Sequence, residues 1–236
     1  MTQNNTLNNR YNRNFKSLTQ TEQDILSKSK VCIIGLGGLG GCVMEMLARI
    51  GIGTLKGMDN DIFDSTNLNR QLFSQENLLG KSKAVAAEKR IKSINSQINI
   101  NCINKRLTKE NAYESIKNFD IVIDCLDSIQ TRFVLQDAAK KASLPLVSGA
   151  IAGTSGQVSV IFPQDKGFEL IYGKKGREIC KGIENELGNL AYCAFFISSV
   201  QVSECIKVLL KKGDILRNKL LIVDLLSNSF ETIKLE

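Results

Sequence analysis

Apolar residues in this chain follow two rhythms that alternate along its first two-thirds. Short saturated runs such as Val31-Cys-Ile-Ile34 and Ile121-Val-Ile123 have the length and β-branching of buried parallel strands. Between them lie longer polar segments with apolar residues three and four positions apart, the spacing of amphipathic helices. The pattern predicts a helix over 19–29, a strand over 30–34, and a helix over 38–50 with Val43, Met46, Leu47 and Ile50 on one face. A strand over 54–58, a helix over 81–94 with Val85 and Ile91 inward, and a strand over 98–103 follow. Next come a helix over 109–117, a strand over 120–124, a helix over 128–142 and a strand over 144–147 that runs on to Ala150. Such βα repetition argues for a doubly wound α/β sheet.

After residue 150 the rhythm changes. The strand 156–162 has no helix before it, and 163–188 is rich in glycine and charge, which reads as a mobile loop. An apolar helix spans 190–210, and 219–226 with 229–235 read as a hairpin around Ser227-Asn228-Ser229. The expected fold is therefore Rossmann-like and mostly parallel, extended by antiparallel C-terminal strands. Residues 1–17 hold six asparagines before position 15 and read as a loose arm. Residues 18–236 read as one domain, with a nucleotide half at 18–150 and an antiparallel, partner-binding half at 151–236.

The first strand stops at Gly35-Leu-Gly-Gly-Leu-Gly40, and an acid, Asp59, stands nineteen residues beyond Gly40. Strand, glycine turn and helix N-terminus form the geometry that holds a nucleotide phosphate on backbone N–H groups. Gly35 supplies a positive φ, Gly37 and Gly38 let the backbone approach the phosphates, and Gly40 lets helix and strand pack closely.

Composition narrows the chemistry. The 236-residue chain has no histidine, which excludes Ser–His and Cys–His dyads, histidine-ligated metals and an imidazole base. Its seven cysteines form no C-x-x-C pair, so they read as small buried hydrophobes rather than disulfides or a zinc site. The net charge of +7 is spread along the chain without an arginine-rich arm, which argues for an acidic ligand or partner protein and against nucleic acid. The uncharged stretch between Glu186 and Glu204 contains Asn189, Ser198, Ser199 and Gln201, so a buried helix is expected there and no membrane span. The polar N-terminus lacks the apolar core of a signal peptide, and a cytoplasmic location is expected.

Further candidates fall near strand ends, where open α/β sheets bind ligands. Asp59 is placed to bond ribose hydroxyls. Asn67-Leu-Asn-Arg-Gln71 sets an amide and a guanidinium beyond it, and Lys83 reaches toward a phosphate as a point charge. Asp127 follows the strand 120–124 and is placed to hold Mg²⁺. Asp124 reads as a cap on local backbone. Two cations, an acid and a glycine cradle suit ATP better than a nicotinamide cofactor. An NAD-dependent oxidoreductase is the rival, and it leaves Arg70, Lys83 and Asp127 without a role.

The chain is identified as resembling the ubiquitin-activating-enzyme-like ThiF/MoeB/HesA family. The shared pieces are Arg10-Tyr-Asn-Arg13, the glycine turn, Met58-Asp-Asn-Asp61, Asn67-Leu-Asn-Arg-Gln71, Gly80-Lys-Ser-Lys83, Asp124-Cys-Leu-Asp127, Val147-Ser-Gly-Ala150 and Gly156-Gln157, in family order. The resemblance implies a homodimer that adenylates the C-terminal Gly-Gly carboxylate of a small ubiquitin-like sulfur-carrier protein, for thiamine or molybdopterin-type cofactor synthesis. It implies that Asp59 binds the ribose, that Asn67, Arg70 and Lys83 contact phosphates, and that Asp127 holds Mg²⁺. It adds Asp61, Gln71 and Ser128 to the nucleotide site and sends Arg13 into the neighbouring subunit's site. Relatives with structural zinc carry two C-x-x-C pairs; this chain has neither, so no zinc is expected. Relatives with a covalent carrier link carry a crossover-loop cysteine; here the nearest thiol is Cys180. The same chemistry on a different acyl substrate remains open at this point.

Overall fold

The computed structural model describes residues 9–178 and 184–235. Cys180 and the first eight residues of the arm lie outside them. The chain opens on helix α1 (Gln20–Lys28), whose Thr19 and Glu22 close a capping box by bonding each other's backbone N–H groups. Strand β1 (Lys30–Ile34), helix α2 (Gly38–Ile50), strand β2 (Thr54–Asp59), helix α3 (Lys83–Ile94) and strand β3 (Asn99–Asn104) follow. Helix α4 (Lys109–Ile116), strand β4 (Ile121–Asp124), helix α5 (Ile129–Lys141) and strand β5 (Leu146–Ala152) complete the βα series. All of these match the sequence reading within two or three residues.

Eight strands form one sheet in the order β3-β2-β1-β4-β5-β6-β7-β8. The first five are parallel, and β6 (Ser155–Ile161), β7 (Lys219–Asp224) and β8 (Ser229–Lys234) are antiparallel additions. Only Gly153 and Thr154 separate β5 from β6, so the chain must turn back on itself there. One core layer packs α2, α3 and helix α8 (Ala191–Leu210) on one face of the sheet, around Val43, Leu47, Ile91 and Ile197. The other packs α4 and α5 on the opposite face, around Ile116, Phe133 and Leu135. The strand order reverses between β1 and β4, which opens a crevice at their carboxyl ends.

Three expectations need correction. Val85 is 65% exposed, because the inward stripe of α3 is Ala84, Ala87 and Ile91, and Val85 lies a quarter-turn away. The segment 163–188 is not a bare loop in its described part. It carries helix α6 (Phe168–Tyr172), a 3-10 turn (Lys174–Glu178) and helix α7 (Glu184–Leu187). Phe168 is fully buried, with its ring centroid 5.7 Å from that of Phe133. Finally, residues 9–17 are tied to the domain. Arg10 donates to the Ile94 carbonyl, and the Asn95 amide donates to the Tyr11 hydroxyl at 2.9 Å. A side chain at Gly51 would collide with the Tyr11 ring.

Helix α8 is long and apolar enough to cross a membrane by length and composition. Here its Cys193, Ile197, Gln201 and Cys205 are fully buried within the fold. Gln201 donates to the Asp124 carbonyl at 2.8 Å, and Glu204 accepts the Leu216 N–H at 2.8 Å. Those polar anchors suit a core helix.

Candidate functional site

The crevice is a cavity of about 700 Å³ lined by the glycine turn, the ends of β2 to β4 and the start of the β5–β6 hairpin. Gly35 has φ +89°, and a Cβ there would lie 2.5 Å from the Cys125 carbonyl oxygen. Gly40 sits behind the turn, not on the cavity wall; a Cβ on it would come within 1.8 Å of the Gly35 carbonyl oxygen. At Gly37 and Gly38 the nearest atoms are 3.5 Å or more away, so this part of the turn is open. No side chain caps α2 at Gly37. Its first N–H groups are therefore available to an anion, with the helix dipole behind them.

Asp59 is held by backbone on both oxygens. Oδ2 accepts the Leu36 N–H at 2.7 Å and Oδ1 accepts the Asp61 N–H at 2.8 Å, which ties the end of β2 to the glycine turn. Lys83 is only 7% exposed in its side chain, and its Nζ lies 3.1 Å from Asp61 Oδ2. The Lys83 N–H also donates to the Asp61 carbonyl at 3.0 Å. A nearly buried ammonium needs such a partner. Arg70 lies beside Gly38 and donates to the Thr66 carbonyl at 3.0 Å and to Asn69 Oδ1 at 2.9 Å. Gln71 is buried next to Gly37, and its Oε1 has no hydrogen-bond partner among the described residues.

Asp127 is exposed at the cavity, one residue before Ser128, which caps α5 by accepting the Thr131 N–H at 3.3 Å. Beneath them the Asp124 carboxylate is completely buried, more than a backbone cap requires. It accepts the Leu126 N–H at 3.0 Å and the Ser148 hydroxyl at 2.7 Å, and it lies 3.4 Å from Arg132. Burial pushes its titration above the usual carboxylate range, against the opposing pull of Arg132.

Gly35, Gly37, Gly38, Asp59, Asp61, Arg70, Gln71, Lys83, Asp127 and Ser128 thus converge on one cavity. Asn67 does not line it. Its Oδ1 accepts the Asp64 N–H at 3.2 Å, so it braces the loop that presents Arg70. Arg13 is exposed on the arm, away from the cavity of its own chain. Residues missed by the sequence reading also line it: Lys105, Arg106, Arg132, Gln157, Tyr172 and Asn189. Lys105 and Arg106 directly follow β3, so the strand-end rule could have found them. The other four have no strand-end signal.

The described cysteines offer no nucleophile. Burial raises Cys32, Cys42 and Cys102 to about 12, and desolvation pushes Cys125, at the cavity wall, well above an ordinary thiol.

Residues 11–236 match the ThiF family. The chain is 36% identical over 230 residues to the molybdopterin-synthase adenylyltransferase of Haemophilus influenzae, covering 96% of this chain and 94% of that one. It is 29% identical over 211 residues to the SAMP-activating enzyme E1 of Haloferax volcanii, covering 89% and 78%. Among solved structures, E. coli MccB with AMPCPP and MccA superimposes with a TM-score of 0.83 at 23% identity, over 97% of this chain and 72% of that one. That likeness speaks for the fold. With the glycine turn, its cations and Asp127 brought into one cavity, the chain belongs to the ThiF family and is an adenylyltransferase.

Proposed function

We propose that this enzyme uses ATP and Mg²⁺ to adenylate the C-terminal Gly-Gly carboxylate of a small ubiquitin-like sulfur-carrier protein of the molybdopterin-synthase type. The observation that carries this reading is the continuity of the cavity. One end holds the uncapped α2 N-terminus, Lys83, Arg70 and Asp127; the other runs past the small residues Ala150, Ala152, Ser155 and Gly156, with Ile151, Gln157 and Tyr172 also on its wall. A narrow, extended tail without side chains suits that second end, and the relatives' names favour the molybdopterin branch over thiamine.

The carrier carboxylate is already a nucleophile at neutral pH, so no general base is required. Its oxygen attacks the α-phosphorus of ATP, an O–P bond forms, the bond to the β-phosphate breaks, and pyrophosphate leaves with the electron pair. The chain's part is positioning and charge neutralisation. The α2 N–H groups and Lys83 hold the phosphates, Arg70 meets charge on the leaving group, and Asp59 meets the ribose. Asp127 fits a magnesium ion: it is a hard oxygen donor, exposed in the cavity, and no ion pair holds it among the described residues. When bound, the ion would neutralise phosphate charge. In this reading the enzyme is a cytoplasmic homodimer, with Arg13 of each arm entering the neighbour's cavity.

The test is ATP–pyrophosphate exchange with candidate carriers. Exchange requires a free Gly-Gly carboxylate, and Lys83→Ala and Asp127→Ala each lower it by about 100-fold or more, as loss of a transition-state charge partner does. Exchange that proceeds with an amidated carrier terminus, or that ignores both substitutions, contradicts the proposal.

A further inference from the structure

Arg132 touches more of the cavity wall than an ion-pair partner needs to. It is 4% exposed and faces the completely buried Asp124. Its Nη1 lies 3.4 Å from Asp124 Oδ2, 3.4 Å from the Ser148 hydroxyl and 3.4 Å from the Tyr172 hydroxyl. Its Nη2 donates to the Leu126 carbonyl. Leu126 is therefore gripped on both sides, its N–H by Asp124 and its carbonyl by Arg132, and the next residue is Asp127. The guanidinium's rigid fork of donors makes such a shared grip possible.

Tyr172 brings the other end of the cavity to the same guanidinium. Its hydroxyl accepts from Gln157 Nε2 at 3.1 Å as well as from Arg132. Gln157 lies on β6, across from Ala150 of β5, and both line the cavity. The Tyr172 ring packs on Phe133 and Phe168, at centroid distances of 6.5 and 5.8 Å, so α6 is fastened by its apolar side and aligned by its hydroxyl. One partly buried network thus joins the segment that carries Asp127 to the β6 and α6 walls.

We propose that Tyr172 is a positioning residue for adenylation: through Arg132 its hydroxyl registers the acyl end of the cavity against the Leu126–Asp127 segment. This rests on the reading that an acyl substrate enters beside β5 and β6. A substrate misaligned there would still leave ATP bound normally, because Tyr172 sits on α6, whereas the glycine turn, Asp59 and Lys83 belong to other elements. The cost falls on the step in which carboxylate and α-phosphorus meet, where small displacements matter most.

Tyr172→Phe isolates the hydroxyl and keeps the ring packing. Two measurements on the full-length protein test the proposal. Amide hydrogen exchange in the protein without carrier reads the link itself: the variant should lose protection at residues 124–128 by about fivefold, the worth of one hydrogen bond, with global stability falling by no more than that same amount. Unchanged protection there overturns the proposal, whatever substrate the enzyme uses. Pyrophosphate exchange then reads the consequence. The variant should lose about five- to tenfold in kcat/KM for the carrier while the KM for ATP stays within about twofold. Full carrier turnover in the variant, or an equal loss in the KM for ATP, overturns it. Wild-type protein that exchanges with no carrier would instead sink the proposed substrate, leaving the hydrogen-exchange result to decide the role of Tyr172.

Discussion

Lys83 illustrates how a single residue's surroundings decide its function. An ammonium almost removed from water, held 3.1 Å from Asp61 and lining the same cavity as the glycine turn, is a fixed charge rather than a solvated surface lysine. At the opposite extreme, the described thiols are buried or partly buried and hard to ionise. We predict that alkylation of the native protein at pH 8 leaves Cys32, Cys42, Cys102, Cys125 and Cys205 unmodified, and that all five react after denaturation; mass mapping checks this. Ready labelling of Cys125 in the native state would contradict its place in the wall. Gly40→Ala should fail to fold or lose several kcal/mol, because its Cβ would overlap the Gly35 carbonyl; a denaturant midpoint reads it. The place of the glycines, Asp59 and Asp127 at the cavity was legible because each stands at or just past a strand end, and that of Lys83 because it opens a helix. Asn67 was misread because its amide bonds a backbone N–H three residues back, a local contact that a motif does not disclose. Arg132 and Tyr172 were invisible because the contacts that join them to each other, to Ser148 and to Gln157 cross between separate elements.

Elements were legible where their hydrophobic period was clean. Helix α2 begins and ends at the predicted residues because glycines punctuate both ends, with Gly51 at φ +92° closing it. The stretch 163–188 failed because its one strong anchor, Phe168, sits among glycines and charges and finds its partners on α5. Phe168→Ala should therefore destabilise the protein by about 3–5 kcal/mol, the usual cost of emptying a buried aromatic site; a chemical denaturation curve checks it. A shift of a few tenths would mean that α6 is not packed as described. The start of α1 gives a pH signature. Lys212 and Thr19 hold the Glu22 carboxylate at about 2, below its ordinary 4.5. A lowered carboxylate contributes stability that is full above about 4.5 and lost as the pH falls toward about 2. An NMR titration should place Glu22 near 2, and Lys212→Ala should move it back toward 4.5. A Glu22 that titrates normally in the wild type would contradict this.

At the scale of the whole molecule, the sheet order follows from connection length. Helical crossovers keep β1 to β5 parallel, whereas two residues between β5 and β6 force the reversal that lines the second end of the cavity. What a single chain does not display is a neighbouring subunit. Tyr192 and Phe195 are 52% and 42% exposed near the start of α8, and Arg13 is exposed on its anchored arm. If the arm serves a second copy, mixing Arg13→Ala with Lys83→Ala subunits should restore activity that neither variant has alone, since some mixed dimers assemble one intact site. No recovery after subunit exchange would assign Arg13 elsewhere. The central claim is that this cavity joins AMP to a protein tail. Intact-mass analysis of a Gly-Gly carrier incubated with enzyme, ATP and Mg²⁺ tests it most directly. The account predicts a carrier heavier by one AMP at its C-terminal carboxylate, formed with release of pyrophosphate. An unmodified carrier, together with tight binding of a nicotinamide dinucleotide and none of ATP, would contradict it.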